Sequence, residues 1–311
     1  MSAIPPETDD ASRSATSSKT IDIVGRLRNR LALGKDAERR LIETILADLQ
    51  FAAHASIADI AVRAGVSEPT ITRLARALGF AGTRDMRIHL AQALAIGGAY
   101  LRGPSSESTG NASSAGAVAA VAKGAHAALE LMTVGLVDTD IDAMAGKIAV
   151  AGQILVCGTG GGSSMAAVEL QNRLFRLGLK VVSQTDPQLQ RMNASVLGEG
   201  DVIIGFSLSG KAQSVVDALN IAGQYGAYSL AVTGPESLLS GNADALLPLH
   251  FEEDGNIFKP SSARYTLLVA VDIISMATAH IIGSSAIESL RRVRQSLASR
   301  DILDPNLPLG D

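Results

Sequence analysis

The second half of the chain alternates short apolar runs with longer segments whose apolar positions recur at helical spacing. Strands are predicted at 153–157, 179–183, 201–206, 227–232 and 244–249. Helices are predicted at 163–177, 187–197, 211–225 and 262–282, with another near 284–299. Strands this short and uniformly apolar, each followed by a helix, predict a five-stranded parallel sheet covered by helices on both faces. The first half differs. Residues 21–96 read as helical throughout, and Leu41, Ile42, Ile45, Leu46 and Leu49 are spaced for one buried face. Two more helical patterns, roughly 115–134 and 138–151, precede the first strand. The expected fold is an all-α N-terminal domain followed by an α/β domain.

Breaks in the pattern place the boundaries. Residues 1–20, rich in Ser, Thr, Asp and Pro, read as a disordered tail. A helical domain spans 21–97 and breaks at Gly97-Gly98. Residues 98–114 form a linker around Gly103-Pro104-Ser105-Ser106. The α/β domain covers 115–300, and 301–311 is a tail. No internal repeat appears.

Composition narrows the class. A chain of 311 residues that is 47% apolar holds about two domains with sizeable cores. Aromatics at 3% suit close helix–sheet packing and argue against base-stacking nucleic-acid modules. No stretch reads as long and pure enough to span a bilayer, and the first residues lack the order of a secretory signal. The single cysteine, Cys157, sits in the apolar run after Ile154 and reads as a small buried hydrophobe. It excludes a disulfide framework and fits a cytoplasmic location. No His/Cys cluster suggests a metal, and no cofactor is implied. Charge is uneven within a net −4: residues 21–102 hold 12 Lys+Arg against 8 Asp+Glu, while residues 103–311 hold 13 against 20. A basic head on an acidic body suggests that the head meets a polyanion.

Residues 56–79 give the head its chemistry. Ser56 caps a helix with Asp59 at capping-box spacing, Gly65 ends it, and Ser67 caps a second helix with Pro69 in its first turn. Ile71, Leu74 and Leu78 form the buried stripe of that second helix. The stripe leaves Ser67, Glu68, Pro69, Thr70, Thr72, Arg73 and Arg76 on or near the outer faces. This is a helix-turn-helix, with arginines able to pair guanine edges and threonines able to meet bases or phosphates of double-stranded DNA. Arg84 and Arg87 read equally as clamps on the DNA backbone and as surface decoration.

The body's chemistry lies in two loops after strands. Cys157-Gly158-Thr159-Gly160-Gly161-Gly162-Ser163-Ser164 joins the first strand to a helix, and Ser207-Leu208-Ser209-Gly210 follows the third. Ligands of parallel sheets sit beyond the carboxyl ends of the strands. There, backbone N–H groups and helix dipoles bind anions, phosphates above all. Lys211 is either an added charge or a solvated first-turn lysine. Asp186, before Pro187, reads as a turn residue or helix cap and not as a ribose partner.

These residues resemble two modules known together. Gly158-x-Gly160 with Ser163, then Ser207-x-Ser209-Gly210, then Thr233-Gly234 resemble the sugar isomerase (SIS) domain. Ser56 to Phe80 resembles the N-terminal domain of RpiR/MurR-type bacterial transcription regulators. Asp186-Pro187-x-x-Gln190-x-Met192, the run Lys259-Pro260 through Arg264 to Asp272, and Leu290-Arg291-Arg292 also look like that family. The resemblance spans about residues 25–300. It implies a dimeric or tetrameric regulator of sugar-catabolic genes whose SIS domain binds a phosphorylated sugar or sugar acid. Gly160, Ser163, Ser164, Ser207, Ser209 and Gly210 would line the effector site, and helix 68–78 would read DNA. The usual Ser-Gly-x-Thr-x-Glu continuation is altered, with Ala212 and Ser214 at the Thr and Glu positions. One phosphate hydroxyl is therefore missing.

A phosphosugar isomerase is the alternative. That reaction needs a positioned base, and the candidates are Glu169, Glu199, Glu252, Glu253, His250 and His280. Glu252, Glu253 and Asp254 read as a solvated acidic loop, and His280 as a core or interface residue. None has a spacing that singles it out. A nucleotide-binding regulator fits the glycine loop but not the Ser-x-Ser-Gly loop.

Overall fold

The computed structural model describes residues 21–101, 113–253 and 258–298. The tails expected at 1–20 and 301–311, most of the linker, and Asp254 lie outside those residues. The chain divides into two compact units, Met1–Ser105 and Ser106–Asp311.

The first unit is helical: α1 (Ile23–Leu31), α2 (Asp36–Ala47), α3 (Leu49–His54), α4 (Ile57–Ala64), α5 (Glu68–Ala77) and α6 (Thr83–Leu101). One core joins all six through Leu27, Leu41, Leu49, Ile60, Ile71 and Leu90, all buried. Each such side chain contributes about 1.5–3 kcal/mol on burial. The capping box of α4 forms as expected. The Ser56 hydroxyl accepts from the Asp59 N–H at 3.1 Å, and the Asp59 carboxylate accepts from the Ser56 N–H at 3.3 Å. Gly65, at φ 62°, ends α4 in the left-handed conformation.

One expectation fails here and another holds in a milder form. Ser67 precedes α5, but its side chain caps no backbone group and pairs instead with the Thr70 hydroxyl at 3.0 Å. The expected break at Gly97-Gly98 is present as a kink: Gly97 leaves helical geometry, and helical turns resume beyond it to Leu101. A helix tolerates glycine for about 1 kcal/mol, so a glycine pair bends it without ending it.

The second unit opens with α7 (Ser114–Gly135) and α8 (Ile141–Ala149). It continues β1 (Ile154–Gly158), α9 (Gly161–Arg176), β2 (Val181–Gln184), α10 (Pro187–Ala194), β3 (Val202–Ser207), α11 (Gln213–Gln224), β4 (Tyr228–Thr233), β5 (Ala245–Pro248), α12 (Ala263–Ile282) and α13 (Ser284–Ala298). The five strands are parallel in the order β2-β1-β3-β4-β5. Side-chain alternation splits the core in two. Ile154, Val156, Ile204 and Phe206 pack with α8, α9 and α12, while Leu155, Cys157 and Ile203 pack with α10 and α11. Gly205 is needed for that second layer, because a Cβ there would lie 2.7 Å from Leu219 Cδ1 and 2.8 Å from Val215 Cγ1. Burial pushes the Cys157 thiol up to about 12, so it stays protonated and unreactive.

Membrane-span length is a further correction. By length and composition alone, α7 and α12 are both apolar enough to cross a bilayer. In α12, Leu267, Ala270, Val271 and Ile274 are spent in the core of the α/β unit, as a buried helix of a globular fold requires.

Candidate functional site

In the first unit, α5 exposes Glu68, Pro69, Arg73 and Arg76, with Thr70 and Thr72 half-buried. Ile71 and Leu74 on the opposite side anchor it to the core. A polar chain runs along its first turns. Ser67 Oγ meets Thr70 Oγ1, and Arg73 donates from Nη2 to Thr70 Oγ1 at 3.3 Å and from Nε to the Pro69 carbonyl at 3.3 Å. Thr72 donates to the Glu68 carbonyl at 3.5 Å. The N-terminal end of α5 is thus a compact group of hydroxyls and one guanidinium.

Arginines elsewhere hold this helix in place. Arg26 on α1 donates to the Leu78 carbonyl at 2.7 Å, securing the end of α5, and its guanidinium lies 5.7 Å from the Phe80 ring centre. Arg87 donates to the Ala53 and His54 carbonyls at 3.2 and 3.0 Å, which gives it a structural role at the end of α3. Arg84 is exposed, and among the described residues no protein group pairs with its side chain or that of Arg76. The parts of Arg26 and Arg87 had no sequence signal, because their partners lie 52 and about 34 residues away.

In the second unit, the strand order reverses between β1 and β3, the point where the crevice for a ligand opens in such sheets. The two predicted loops flank that point. Gly158 pairs with Phe206 in register, so the glycine loop and the Ser207–Gly210 loop leave the same edge side by side. A Cβ on Gly162 would lie 3.7 Å from Leu208 Cδ1. Gly158 is required where β1 meets α9, since a Cβ there would come within 2.2 Å of the Ser163 carbonyl oxygen.

The hydroxyls are unequally exposed. Ser163 and Ser207 are buried, at 6% and 3% exposure. Ser164 is half-buried and donates to the Gly158 carbonyl at 3.4 Å. Ser209 is exposed and accepts from the Lys211 N–H at 3.3 Å. Lys211 precedes α11, whose first residue is Gln213, so it is not a first-turn lysine. Gly210, at φ 63°, is packed under Ser237 and Thr233.

Capping separates these helices from three others in the unit, although α12, which follows Ser262, also starts without a side-chain cap. Ser113, Asp140 and Asp186 cap α7, α8 and α10 with side-chain oxygens. The residues before α9 and α11 are Gly160 and Ala212, and neither start has a side-chain cap. The first-turn N–H groups of both helices therefore lack a side-chain acceptor at the point where the strand order reverses.

Sequence reasoning gave Gln190 no role of its own, although its side chain lies at this edge. Its Nε2 donates to the Gly158 carbonyl at 3.3 Å and the Gln184 carbonyl at 2.9 Å, bridging the ends of β1 and β2. Beside α9, Ser164, Glu169, Arg173 and Thr185 contribute to a cavity of about 690 Å³.

The candidate bases are scattered. Glu169 is tied to Arg173 at 2.6 Å. Glu199 lines a cavity at the opposite, amino-terminal edge of the sheet with Asp201 and Tyr228. Glu253 accepts from Ser261, and Glu252 is exposed. His250 packs against the end of α7 at Gly135. His280 is exposed in the last turn of α12, which corrects its reading as a core residue while leaving an interface open.

Known proteins match this arrangement. The family model described as a helix-turn-helix domain of the rpiR family covers residues 21–97, and the SIS domain model covers 147–277. The HTH-type transcriptional regulator HexR of Pseudomonas aeruginosa is 31% identical over 277 residues, 89% of this chain and 95% of that protein. The bifunctional protein glk of Paraburkholderia xenovorans is 28% identical over 90% of this chain but only 43% of its own length. Among solved structures, the Vibrio vulnificus NanR protein complexed with ManNAc-6P covers 89% of this chain and 98% of its own, with a TM-score of 0.53 and 22% identity. That likeness speaks for the fold.

Proposed function

The chain belongs to the rpiR family of helix-turn-helix transcriptional regulators and carries a SIS domain behind its DNA-binding unit; on that footing we propose that it senses a phosphorylated sugar or sugar acid at the β1/β3 strand tips. The observation that carries the reading is the pair of uncapped helix starts at that edge, beside Ser163, Ser164, Ser207 and Ser209. Backbone N–H groups and two helix dipoles hold the anion there, and the hydroxyls hold its oxygens. Gly160, with open space where a Cβ would stand, gives the ligand room, and Gly210 takes the positive φ that lets its loop pack under Ser237. The missing hydroxyl at Ala212 leaves a larger share of the phosphate to main-chain donors.

The reading is a sensor and not an isomerase: Glu169 and Glu253 are tied to Arg173 and Ser261, and Glu199 lies at the opposite edge of the sheet, which leaves no carboxylate of these three free to act as a base at the β1/β3 tips. In the other unit, the Ser67–Arg76 face reads the operator: Arg73 and Arg76 meet base edges, and Ser67, Glu68, Pro69, Thr70 and Thr72 set the approach. The protein works in the cytoplasm as a homodimer or homotetramer and controls carbohydrate-catabolism genes. Exposed apolar side chains on the α/β unit, among them Met165, Val168 and Phe175 on α9 and Met276 and Ile281 on α12, supply surface for self-association. Effector binding shifts the DNA-bound population only through a difference in affinity between two arrangements.

The test is a thermal-shift screen of the full chain against phosphorylated sugars and sugar acids, with a turnover assay on each hit. A raised melting point without turnover supports the sensor. No hit in the panel counts against the site, and turnover of a hit counts against the sensor.

A further inference from the structure

Gln190 is fully buried, and its carbonyl oxygen Oε1 has no hydrogen-bond partner. The orientation of the amide is fixed by its surroundings. Its nitrogen faces two carbonyl oxygens, of Gly158 and Gln184, and turning the amide over would place three acceptors together. The oxygen is thus left without a donor by the geometry of the strand ends, not by the choice of rotamer. A buried acceptor without a donor costs about 1–3 kcal/mol, which is more than a family of small rearrangements normally leaves in place. Leu189 and Met192 next to it on α10 are exposed, so the polar residue in this helix is the one turned into the protein.

The location matters as much as the vacancy. Gly158 ends β1 and opens the glycine loop, Gln184 ends β2, and the Gly158 carbonyl also accepts from Ser164. The strand-tip groups assigned to the effector so far meet an anion as donors, through N–H groups and serine hydroxyls, and a serine that donates to the anion is not free to fix a sugar hydroxyl as well. A sugar carries hydroxyl donors, and an amide oxygen, which can only accept, reads them unambiguously.

We propose that Gln190 Oε1, closed to solvent in this structure, gains its missing donor from a hydroxyl of the effector's sugar body when the adjoining glycine loop takes up the ligand, making Gln190 a specificity residue distinct from the anion-binding serines. The inference rests on the strand-tip reading above. It also gives effector binding a route to α10, which packs on α11 and is joined to it by the Arg191–Asp217 ion pair at 2.6 Å.

The experiment uses the full chain and three probes: inorganic phosphate, and the panel sugar phosphate and sugar acid with the largest thermal shifts. Gln190→Met keeps the length and removes both polar atoms. The expected result is an affinity for the sugar probes at least about tenfold lower, with unchanged affinity for inorganic phosphate. Ser209→Ala serves as the reverse control and weakens phosphate as well. Equal losses for all probes, or no loss, would overturn the proposal while leaving the strand-tip site standing. Absence of any binding to the wild-type protein would remove the site itself, and the proposal with it. Should Gln190→Met not fold, the side-chain amide resonance of Gln190 in the wild-type chain is followed by NMR, assigned through Gln190→Asn. It is expected to shift with the sugar probes and to stay in place with inorganic phosphate. A resonance unmoved by the sugar probes would refute the role.

Discussion

Gly210→Ala tests the packing that shapes the Ser207–Gly210 loop. Gly210 holds φ 63°, a region that costs a residue with a Cβ about 1–2 kcal/mol. An added Cβ would also lie 2.2 Å from both Cβ and Oγ of Ser237 and 2.8 Å from Thr233 Oγ1, well inside the roughly 3.5–4.0 Å of carbon contact. Overpacking of this kind costs about 1–3 kcal/mol. The sum, about 2–5 kcal/mol, lowers the melting point of a domain this size by roughly 4–20 °C. The chain has no Trp, and three of its four tyrosines, Tyr225, Tyr228 and Tyr265, lie in the second unit, so tyrosine emission during urea unfolding of a Tyr100→Phe background follows that unit. The steric part is separable. Ser237→Gly removes the two nearest atoms and leaves Thr233 Oγ1, so Gly210→Ala in that background should recover most, not all, of the roughly 1–3 kcal/mol steric cost. Equal costs in the two backgrounds would refute the claim that Ser237 confines the loop.

Two further outcomes concern the DNA-binding unit. Arg73→Ala should weaken operator binding by about 1–3 kcal/mol and relax sequence preference, read by fluorescence anisotropy at fixed salt; unchanged selectivity would remove Arg73 from the base-reading set. Asp48 accepts from the Phe51 N–H at the start of α3, and that bond holds its carboxyl below the usual range, against a smaller desolvation effect and with help from Arg63. A lowered folded pKa adds stability that is complete above the unfolded value and is lost as pH falls through the folded one. The melting point of the helical unit should therefore drop less steeply in acid for Asp48→Asn than for wild type, and identical acid profiles would contradict this.

Much of the fold was legible because burial leaves a periodic mark. All five strands lie within two residues of their predicted spans, since each centres on a short apolar-rich run between breakers, least clearly in β2, which reads Val-Val-Ser-Gln. The helix-turn-helix was legible through Ser56, Gly65 and Pro69, whose backbone roles depend on near neighbours. What escaped depends on distance. Ser67 had Thr70 as a competing partner, Arg26 and Arg87 reach carbonyls of other helices, and Gln190 joins two strand ends that only the sheet brings together. The start of α11 at Gln213 was blurred because Ala212 supplies no capping side chain to mark it. The reading that no stretch has the length and purity to span a bilayer understated α12, because a helix serving a core has the same composition as one crossing a bilayer.

The central claim is that the strand tips of the α/β unit sense an effector and that the helical unit reports it on DNA. The direct measurement is fluorescence anisotropy of a DNA site selected by this protein from random sequence, titrated with a sugar-phosphate hit from the thermal-shift panel. The comparison is between the wild-type chain and Ser207→Ala with Ser209→Ala. The account predicts that DNA affinity changes with effector in the wild type, and that the double variant binds the same DNA equally well without responding. A double variant that responds like the wild type would contradict it.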